Sequence, residues 1–151
     1  MIQFKVEREV RASPAEIYAW LSDYSNADYT GPNWPSHDGM RREVREQDDQ
    51  HAVFSDFYSR SELEYRAEKH PPTGIEAKGT GKNLDGQVSV RILPAADGSK
   101  LMIDFRFEQK GVAKIFGGLL SGQVERATIR QVDSFLKDFY ASRAPAPEPG
   151  R

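Results

Sequence analysis

The sequence predicts a single α+β domain in which a run of antiparallel strands is covered by one long helix. Three features indicate this fold class: short segments that alternate apolar and polar residues, a helix-start signal after the first of them, and a long proline-free amphipathic segment after the last. The length of 151 residues suits one domain. Because a chain of this size buries about 68–70% of its unfolded surface, its core is large enough to contain a cavity.

The first two predicted elements are a strand and a short helix. Residues 2–10 alternate apolar and polar side chains, and this period of two predicts a half-buried strand. Ser13 is a favoured cap, Pro14 suits the first helical position, and Glu16 completes a capping box, so a helix should begin here. Residues 25–39 are rich in turn-forming residues, which predicts a loop with room for a short second helix.

Turn residues divide the middle of the chain into strands, as at positions 48–50. Leu63 and Tyr65 alternate with Glu62 and Glu64, which gives that strand one dry face and one wet face. Such alternation predicts an antiparallel sheet that is covered on one side only. The predicted strands are residues 40–47, 51–59, 62–69, 74–82, 86–93 and 100–109.

A long amphipathic helix is predicted from Val112 to about Arg143. Apolar residues recur there at near-helical spacing, and no proline interrupts them. Gly117, Gly118 and Gly122 weaken its first part by about 1 kcal/mol each relative to alanine. We therefore expect a kink or an irregular turn near them.

The last residues differ in composition from the rest of the chain. Residues 144–151 contain three prolines among small and charged residues, which predicts a disordered tail. The folded domain is accordingly assigned to residues 1–143.

Composition excludes several classes of function. The net charge is −2, from 21 basic and 23 acidic side chains, so the chain lacks the basic excess of nucleic-acid binders. The absence of cysteine excludes disulfides, thiolate metal sites and a cysteine nucleophile. The three histidines do not have the spacing of a metal motif. We expect no metal, no cofactor and no nucleic-acid partner.

The compartment is predicted from the start of the chain and its hydropathy. The first residues lack the basic segment and apolar run of a signal peptide. No apolar stretch approaches the ~18 residues that a membrane span requires. A cytoplasmic, soluble protein is the expectation.

The opening segment resembles the START-like, Bet v 1-type superfamily, which includes the polyketide cyclase/dehydrase and lipid-transport proteins. The resemblance is carried by a strand and a following small-Ser-Pro-x-x-aliphatic-aromatic-x-x-Leu-x-Asp helix, here Ala12-Ser13-Pro14-Ala15-Glu16-Ile17-Tyr18-Ala19-Trp20-Leu21-Ser22-Asp23. It covers roughly residues 2–142. It implies a helix-grip fold: a curved antiparallel sheet of about seven strands around the long C-terminal helix, with one or two short helices after strand 1. Members of the superfamily bind lipids, sterols, polyketides, hormones or quinones in a deep apolar cavity.

Side chains on the inward faces are the candidates for lining such a cavity. The candidate ligand-binding residues on the strands are Phe57 or its neighbours, Leu63, Tyr65, Ile75, Val88, Val90, Ile103, Phe105 and Phe107. Those on the helix are Phe116, Leu120, Val124 and Ala127. Each could equally be ordinary core packing. Ala77, Gly79 and Gly81 share one strand face, and such small residues either leave space for a ligand or mark a bend in the sheet.

The loop after the first helix supplies three further candidates. Tyr29, Trp34 and His37 lie in the 25–39 segment, which borders the mouth of the cavity in related folds. The functional interpretation is a lid with an aromatic platform and one polar contact. The structural alternative is a packed surface loop.

Two arginines interrupt apolar strand faces. Arg8 and Arg42 need a partner if they are buried, and that partner is either a ligand carboxylate or phosphate or, at a strand end, water. Asp56 and Tyr58, on one strand face, are candidates for acid–base work with Tyr65. The groups offered for an enzyme are Tyr65, Asp56 and Arg42. No residue is assigned a catalytic role from the sequence.

The principal functional hypothesis is binding or transport of a small hydrophobic ligand, such as a lipid, a polyketide or an isoprenoid-like molecule. One alternative is a cyclase- or hydratase-type enzyme that acts in the same cavity. Another is a protein-assembly or co-chaperone factor. The sequence does not choose between carrier and enzyme, and it specifies neither a protein partner nor an oligomeric state.

Overall fold

A computed structural model describes residues 1–24, 41–58, 61–111 and 117–143 of the protein. The loop predicted over residues 25–39 and the tail predicted over 144–151 lie outside these residues. The elements are β1 (Ile2–Val10), α1 (Pro14–Ser22), β2 (Arg41–Gln47), β3 (His51–Tyr58), β4 (Ser61–His70), β5 (Gly74–Gly81), β6 (Leu84–Ala95), β7 (Gly98–Gln109) and α2 (Gly117–Arg143). The predicted strands, the short helix and the long helix are all present.

The seven strands form one antiparallel sheet in the order β1-β7-β6-β5-β4-β3-β2. Strands β2 to β7 form a meander in which each strand pairs with the next. Strand β1 pairs instead with β7, and their register runs from Ile2 opposite Phe107 to Val10 opposite Ser99. The sheet curves around α2, and this α+β arrangement is the expected helix grip.

Helix α1 begins at the capping box that the sequence predicted. The Ser13 side chain accepts a hydrogen bond from the Glu16 amide at 3.3 Å and donates one to the Glu16 carboxylate at 3.1 Å. Pro14 occupies the start of the helix, and the Ile17 side chain is fully buried beneath it. The apolar stripe of α1 therefore docks the helix on the sheet rather than leaving it at the surface.

The turn between β6 and β7 packs against the junction of β1 and α1. Gly98 has a φ of +150°, and a Cβ atom at this position would lie only 2.2 Å from the Val10 carbonyl oxygen. The buried Ser99 hydroxyl donates a 2.6 Å hydrogen bond to the Ala12 carbonyl oxygen. Glycine is needed here because the backbones approach too closely for any side chain.

The C-terminal half of α2 is attached to the N-terminal elements. Arg8 on β1 contacts Asp133 through its Nε atom at 2.8 Å, and the Tyr140 hydroxyl accepts a hydrogen bond from the Arg11 amide at 3.0 Å. Arg143 forms an ion pair with Glu16. Arg8 thus links β1 to α2 through a helix carboxylate. Its side chain is 36% exposed on an edge strand and also reaches water, which is the alternative to a ligand anion that the sequence offered.

The first part of α2 is described from Gly117 onwards. Residues 112–116, where the sequence predicts the first turn of the long helix, lie outside the described part of the chain. From Gly117 to Arg143 the helix is a single element that continues through Gly122, so the glycines do not divide it. Neither described helix is long and apolar enough to cross a membrane.

The apolar core consists of two clusters, one towards each end of the strand order. The first joins β1, β6 and β7 to both helices and contains Val6, Val10, Ala12, Ile17, Ile92, Leu101, Ile103, Phe105, Phe107, Val132, Leu136 and Phe139. The second joins β3, β4 and β5 to the end of α1 and contains Tyr24, Ala52, Phe54, Leu63, Tyr65, Ala67, Ile75 and Ala77. Leu84, Val88 and Val90 pack against both clusters. A space remains where the two clusters meet beneath α2.

Candidate functional site

A cavity of about 120 Å³ lies between the concave face of the sheet and α2. Its lining comes from six strands, from α2 and from the end of α1. These residues are Leu21, Tyr24, Arg42, Phe54, Asp56, Tyr65, Ile75, Ala77, Val88, Val90, Ile103, Phe105, Phe107, Thr128, Gln131, Val132 and Phe135. Most are apolar, and ligand sites generally combine an apolar lining with a few polar groups.

Arg42 and Asp56 form a buried ion pair in the cavity wall. They face each other across β2 and β3, and the Arg42 Nε and Nη2 atoms lie 2.7 and 3.0 Å from the two Asp56 carboxylate oxygens. Arg42 is 9% exposed and Asp56 is 3% exposed. A charge in such a site requires a partner because desolvation is costly. The partner of Arg42 is thus a residue of the protein itself.

Aromatic rings surround the Arg42 guanidinium. Its Cζ atom lies 4.5 Å from the centre of the Phe54 ring, 5.5 Å from that of Tyr24 and 5.8 Å from that of Phe135. Cation–π attraction at these distances is strongest where water is excluded. Together with Asp56, the three rings hold the guanidinium in one orientation.

A stack of three rings forms one wall of the cavity. Tyr24 stacks on Phe54 with ring centres 4.3 Å apart, and Phe54 stacks on Tyr65 at 5.2 Å. The Gln47 side chain accepts a hydrogen bond from the Tyr24 amide at 2.8 Å, which ties the end of α1 to β2. Burial raises the pKa of the Tyr24 phenol to about 12, although the nearby Arg42 charge opposes the shift. The phenol is therefore neutral at physiological pH.

A second aromatic group lies on β7 and β1. Phe105 and Phe107 on β7 have ring centres 6.2 Å apart, and Phe105 stacks on Phe4 of β1 at 5.1 Å. Aliphatic side chains from β5, β6 and β7 also line the cavity: Ile75, Val88, Val90 and Ile103. The cavity, which we call the slot, is thus lined by aromatic and aliphatic side chains.

Helix α2 adds two polar side chains on the face that covers the slot. Thr128 and Gln131 are buried and lie three residues apart, on the same side of the helix. The Thr128 hydroxyl donates a 2.8 Å hydrogen bond to the Val124 carbonyl oxygen. The Gln131 amide makes no hydrogen bond with another described side chain or backbone group. It can therefore offer both a donor and an acceptor to a bound molecule.

The small residues of β5 act differently from the expectation that they leave space for a ligand. A Cβ atom at Gly79 would lie 2.7 Å from the Tyr65 ring, and one at Gly81 would lie 2.7 Å from the Glu62 carbonyl oxygen. These positions are already filled, because the Tyr65 ring lies over Gly79 on the neighbouring strand. Of the three small residues, only Ala77 lines the cavity.

The structure brings together some of the predicted site residues. Tyr65, Phe105 and Phe107 line the cavity, whereas Phe57 does not. Since Phe57 alternates with Asp56 along β3, it lies on the opposite face of the sheet, and its neighbours Phe54 and Asp56 take the lining positions. Other candidates lie outside the residues or side chains that the structure describes: Tyr29, Trp34, His37, Phe116 and Leu120.

Several lining residues were not among the candidates from the sequence. Thr128, Gln131 and Phe135 lie on α2 closer to its C-terminus than Val124 and Ala127, which the sequence favoured and which are not among the lining residues. Their spacing of three and four residues places them on one face of the helix and could have identified them. Two of them are polar, so the pattern of apolar residues did not include them.

The three residues named as candidates for an enzyme all line the cavity. Arg42, Asp56 and Tyr65, which come from three neighbouring strands, all line it. Within the described ranges, no three His, Asp or Glu side chains form a group that could hold a metal ion. The arrangement can bind and orient a small molecule through hydrogen bonds and apolar contact.

Comparison with known proteins places this geometry in a family. The sequence model for polyketide cyclase / dehydrase and lipid transport proteins matches residues 1–141. No curated protein matches the sequence.

Solved structures with low sequence identity share the fold. A protein from Thermus thermophilus is 18% identical, with a TM-score of 0.70 over 91% of this chain and 93% of that one. The di-domain ARO/CYC protein StfQ from the steffimycin biosynthetic pathway is 14% identical, with a TM-score of 0.69 over 94% of this chain and 51% of that one. A START superfamily protein from Mycobacterium smegmatis is 12% identical, with a TM-score of 0.68 over 93% of this chain and 99% of that one. The chain belongs to the polyketide cyclase/dehydrase and lipid-transport family and has its START/Bet v 1-type fold.

Proposed function

We propose that the protein binds a small apolar or amphipathic molecule in the cavity between the sheet and α2. The observation that supports this is a slot with aromatic and aliphatic walls, whose polar groups include Arg42, Asp56, Thr128 and Gln131. Apolar walls supply affinity, at about 25 cal/mol per Å² of buried area before the costs of association. The polar groups supply orientation.

The size of the cavity limits what it can hold. At about 120 Å³ it is smaller than most ligand sites, which measure roughly 300–1,000 Å³. A cavity of about 150 Å³ is known to accept benzene. The described slot therefore suits one ring, or the ring-bearing or branched end of a longer lipid, polyketide or isoprenoid-like molecule.

The remaining candidates from the sequence extend this proposal. Tyr29, Trp34 and His37 would form a lid over the ligand, and Phe116 and Leu120 would contact it from the start of the long helix. Phe105, Phe107 and Tyr65 would contact the enclosed part. A cytoplasmic location is part of the same proposal.

Native mass spectrometry of freshly purified protein, followed by solvent extraction, tests for a bound molecule. We expect a stoichiometric small hydrophobic compound. The matched variants are Ala77→Leu, which adds three carbons to the cavity, and Lys78→Leu, which places the same side chain on the exposed face of the same strand. Ala77→Leu should reduce binding at least about tenfold, while Lys78→Leu should retain it. Equal binding by the two variants would place the ligand elsewhere.

A cyclase- or hydratase-type activity is the second candidate. The observation that favours it is the convergence of Arg42, Asp56 and Tyr65 on one apolar cavity, where acid–base groups act most effectively. Turnover of a polyketide-like substrate should then be lost in Tyr65→Phe while binding persists. Binding without turnover in the unmodified protein would favour a carrier.

A further inference from the structure

We infer that the cavity selects neutral ligands that carry a hydrogen-bonding group, such as a hydroxyl, ketone or amide, and discriminates against carboxylates and phosphates. The inference rests on the proposed function and specifies the ligand class of the same site. It depends on the pairing of the Arg42 and Asp56 charges, which leaves the described lining with no net charge.

The charges that line the described cavity sum to zero. Arg42 and Asp56 are the charged residues among the lining side chains, and both carboxylate oxygens of Asp56 contact the guanidinium, at 2.7 and 3.0 Å. A two-point contact of this kind is the strongest form of the interaction. A ligand in the cavity therefore contacts an ion pair whose net charge is zero, and the pair offers no excess positive charge.

An anion would lose its hydration in this site, and the described lining offers no net opposite charge to offset the loss. Both members of the pair are less than a tenth exposed, and apolar residues surround them. Burial of an ion is unfavourable unless an opposite charge is available to it. The Asp56 carboxylate, as a like charge, adds repulsion in a medium where charges interact strongly.

Arg42 cannot be recruited by an anion at low cost. For a ligand carboxylate to take the place of Asp56, the guanidinium would have to move away from Asp56 and from the rings of Phe54 and Tyr24, which lie 4.5 and 5.5 Å away. That movement would leave the buried Asp56 carboxylate without this partner. The packing thus stabilises the neutral pair against exchange.

The other polar groups in the lining suit a neutral ligand. Gln131 presents an amide, and Thr128 presents a hydroxyl oxygen whose proton is already donated to Val124. Among the described lining residues, the titratable groups besides the pair are Tyr24 and Tyr65, and those from α2 carry no charge. Burial keeps the Tyr24 phenol protonated, since its pKa rises to about 12.

The test compares two probes of the same shape, 4-ethylbenzamide and 4-ethylbenzoic acid, with the full chain by calorimetry or NMR titration. At pH 7 we expect the amide to bind at least about tenfold more tightly. Because a carboxylic acid has a pKa near 4, the affinity for the acid should rise about tenfold for each unit by which the pH falls from 7 to 5. The affinity for the amide should stay constant over that range.

Two matched variants locate the effect. Asp56→Asn removes the carboxylate that balances the guanidinium charge within the described lining, so it should reverse the preference in favour of the acid. Asp133→Asn removes a carboxylate that also pairs with an arginine, Arg8, but outside the cavity. This variant should retain the preference for the amide.

The outcomes separate the inference from the proposed function. Equal or tighter binding of the acid at pH 7, or an Asp56→Asn variant that still prefers the amide, would overturn the charge selectivity and leave the binding function intact. If neither probe shifts the amide resonances of Thr128 and Gln131 at millimolar concentration, the binding function itself is overturned. If Asp56→Asn does not fold, the pH dependence of the affinity for the acid in the unmodified protein tests the charge selectivity instead. An affinity that does not rise between pH 7 and pH 5 would overturn it.

Discussion

Arg42 and Asp56 face each other on neighbouring strands and are joined by two short hydrogen bonds, with less than a tenth of either side chain exposed. Removing one member of such a pair leaves the other charge buried without that partner, whereas replacing both by apolar residues removes the desolvation cost of both charges. In Arg42→Met, the Asp56 carboxylate loses its partner, and we expect stability to fall by about 3–5 kcal/mol. Denaturant unfolding measures the change.

The double variant Arg42→Met/Asp56→Leu is the control. With both charges removed and the volume filled by apolar atoms, it should recover most of the lost stability. A double variant as unstable as the single one would show that packing around Arg42, not its charge, dominates the effect.

The buried Tyr24 phenol predicts a loss of stability at alkaline pH. Burial raises its pKa from 10.0 to about 12. Because the folded-state pKa lies above the unfolded one, this stabilisation is complete below pH 10 and is lost as the pH rises through about 12. Its size is about 3 kcal/mol, since one pKa unit corresponds to about 1.4 kcal/mol.

Urea unfolding at a series of pH values from 9 upwards tests this assignment against Tyr24→Phe. The variant cannot ionise at this position, so its stability should fall less steeply than that of the unmodified protein. Parallel curves would indicate that the phenol is accessible to water.

The close approach at Gly98 predicts a strong response to a single methyl group. In Gly98→Ala, the new Cβ atom would lie 2.2 Å from the Val10 carbonyl oxygen, on a backbone with a φ of +150°. We expect a loss of at least about 1–3 kcal/mol in thermal or chemical unfolding.

Gly111 provides the comparison, because its φ is also positive, at +61°, but no described atom lies within 4 Å of the added Cβ. Gly111→Ala should cost only about 1 kcal/mol, from backbone conformation alone. If both variants cost the same, the contact with Val10 is not the cause.

The position of Tyr65 over Gly79 predicts that a glycine substitution alters the cavity. In Gly79→Ala, the Cβ atom would lie 2.7 Å from the Tyr65 ring, so the ring must move. Overpacking of this kind costs about 1–3 kcal/mol, and the displaced ring should also weaken ligand binding.

Gly74 begins the same strand, and its added Cβ atom would have no described neighbour closer than 3.5 Å. Gly74→Ala should be neutral or slightly stabilising, by up to about 1 kcal/mol. Ligand titration of the two variants, with unfolding curves, would distinguish a local ring displacement from a general effect of alanine in β5.

The sequence predicted the elements well because each depends on local pattern. The alternation of Leu63 and Tyr65 with glutamates determines which face of β4 is dry, and the Ser13-Pro14 cap determines where α1 begins. These features require no knowledge of distant residues. The same holds for α2, whose described part ends at Arg143, where the sequence placed its end.

The site was harder to predict because its geometry depends on register and side-chain packing. The sequence placed Arg42 on an apolar face but did not pair it with Asp56, since a bulge between Val44 and Glu46 shifts the register of β2 against β3. It left Gly79 as either space for a ligand or a bend in the sheet, because nothing local reveals that the Tyr65 ring lies there. Cross-strand contacts of this kind follow only from the assembled sheet.

The attachment of β1 to β7 and α2 has a consequence for the order of folding. Strands β2 to β7 pair with their sequence neighbours, so the meander can form from local hairpins as the chain is synthesised. Ile2 can pair with Phe107, and Arg8 can contact Asp133, only after those distant residues have been synthesised. We therefore expect β1 to join the sheet last, so that pairing between these distant segments limits the folding rate. A partly synthesised chain that lacks α2 should expose apolar core residues, which chaperones can bind.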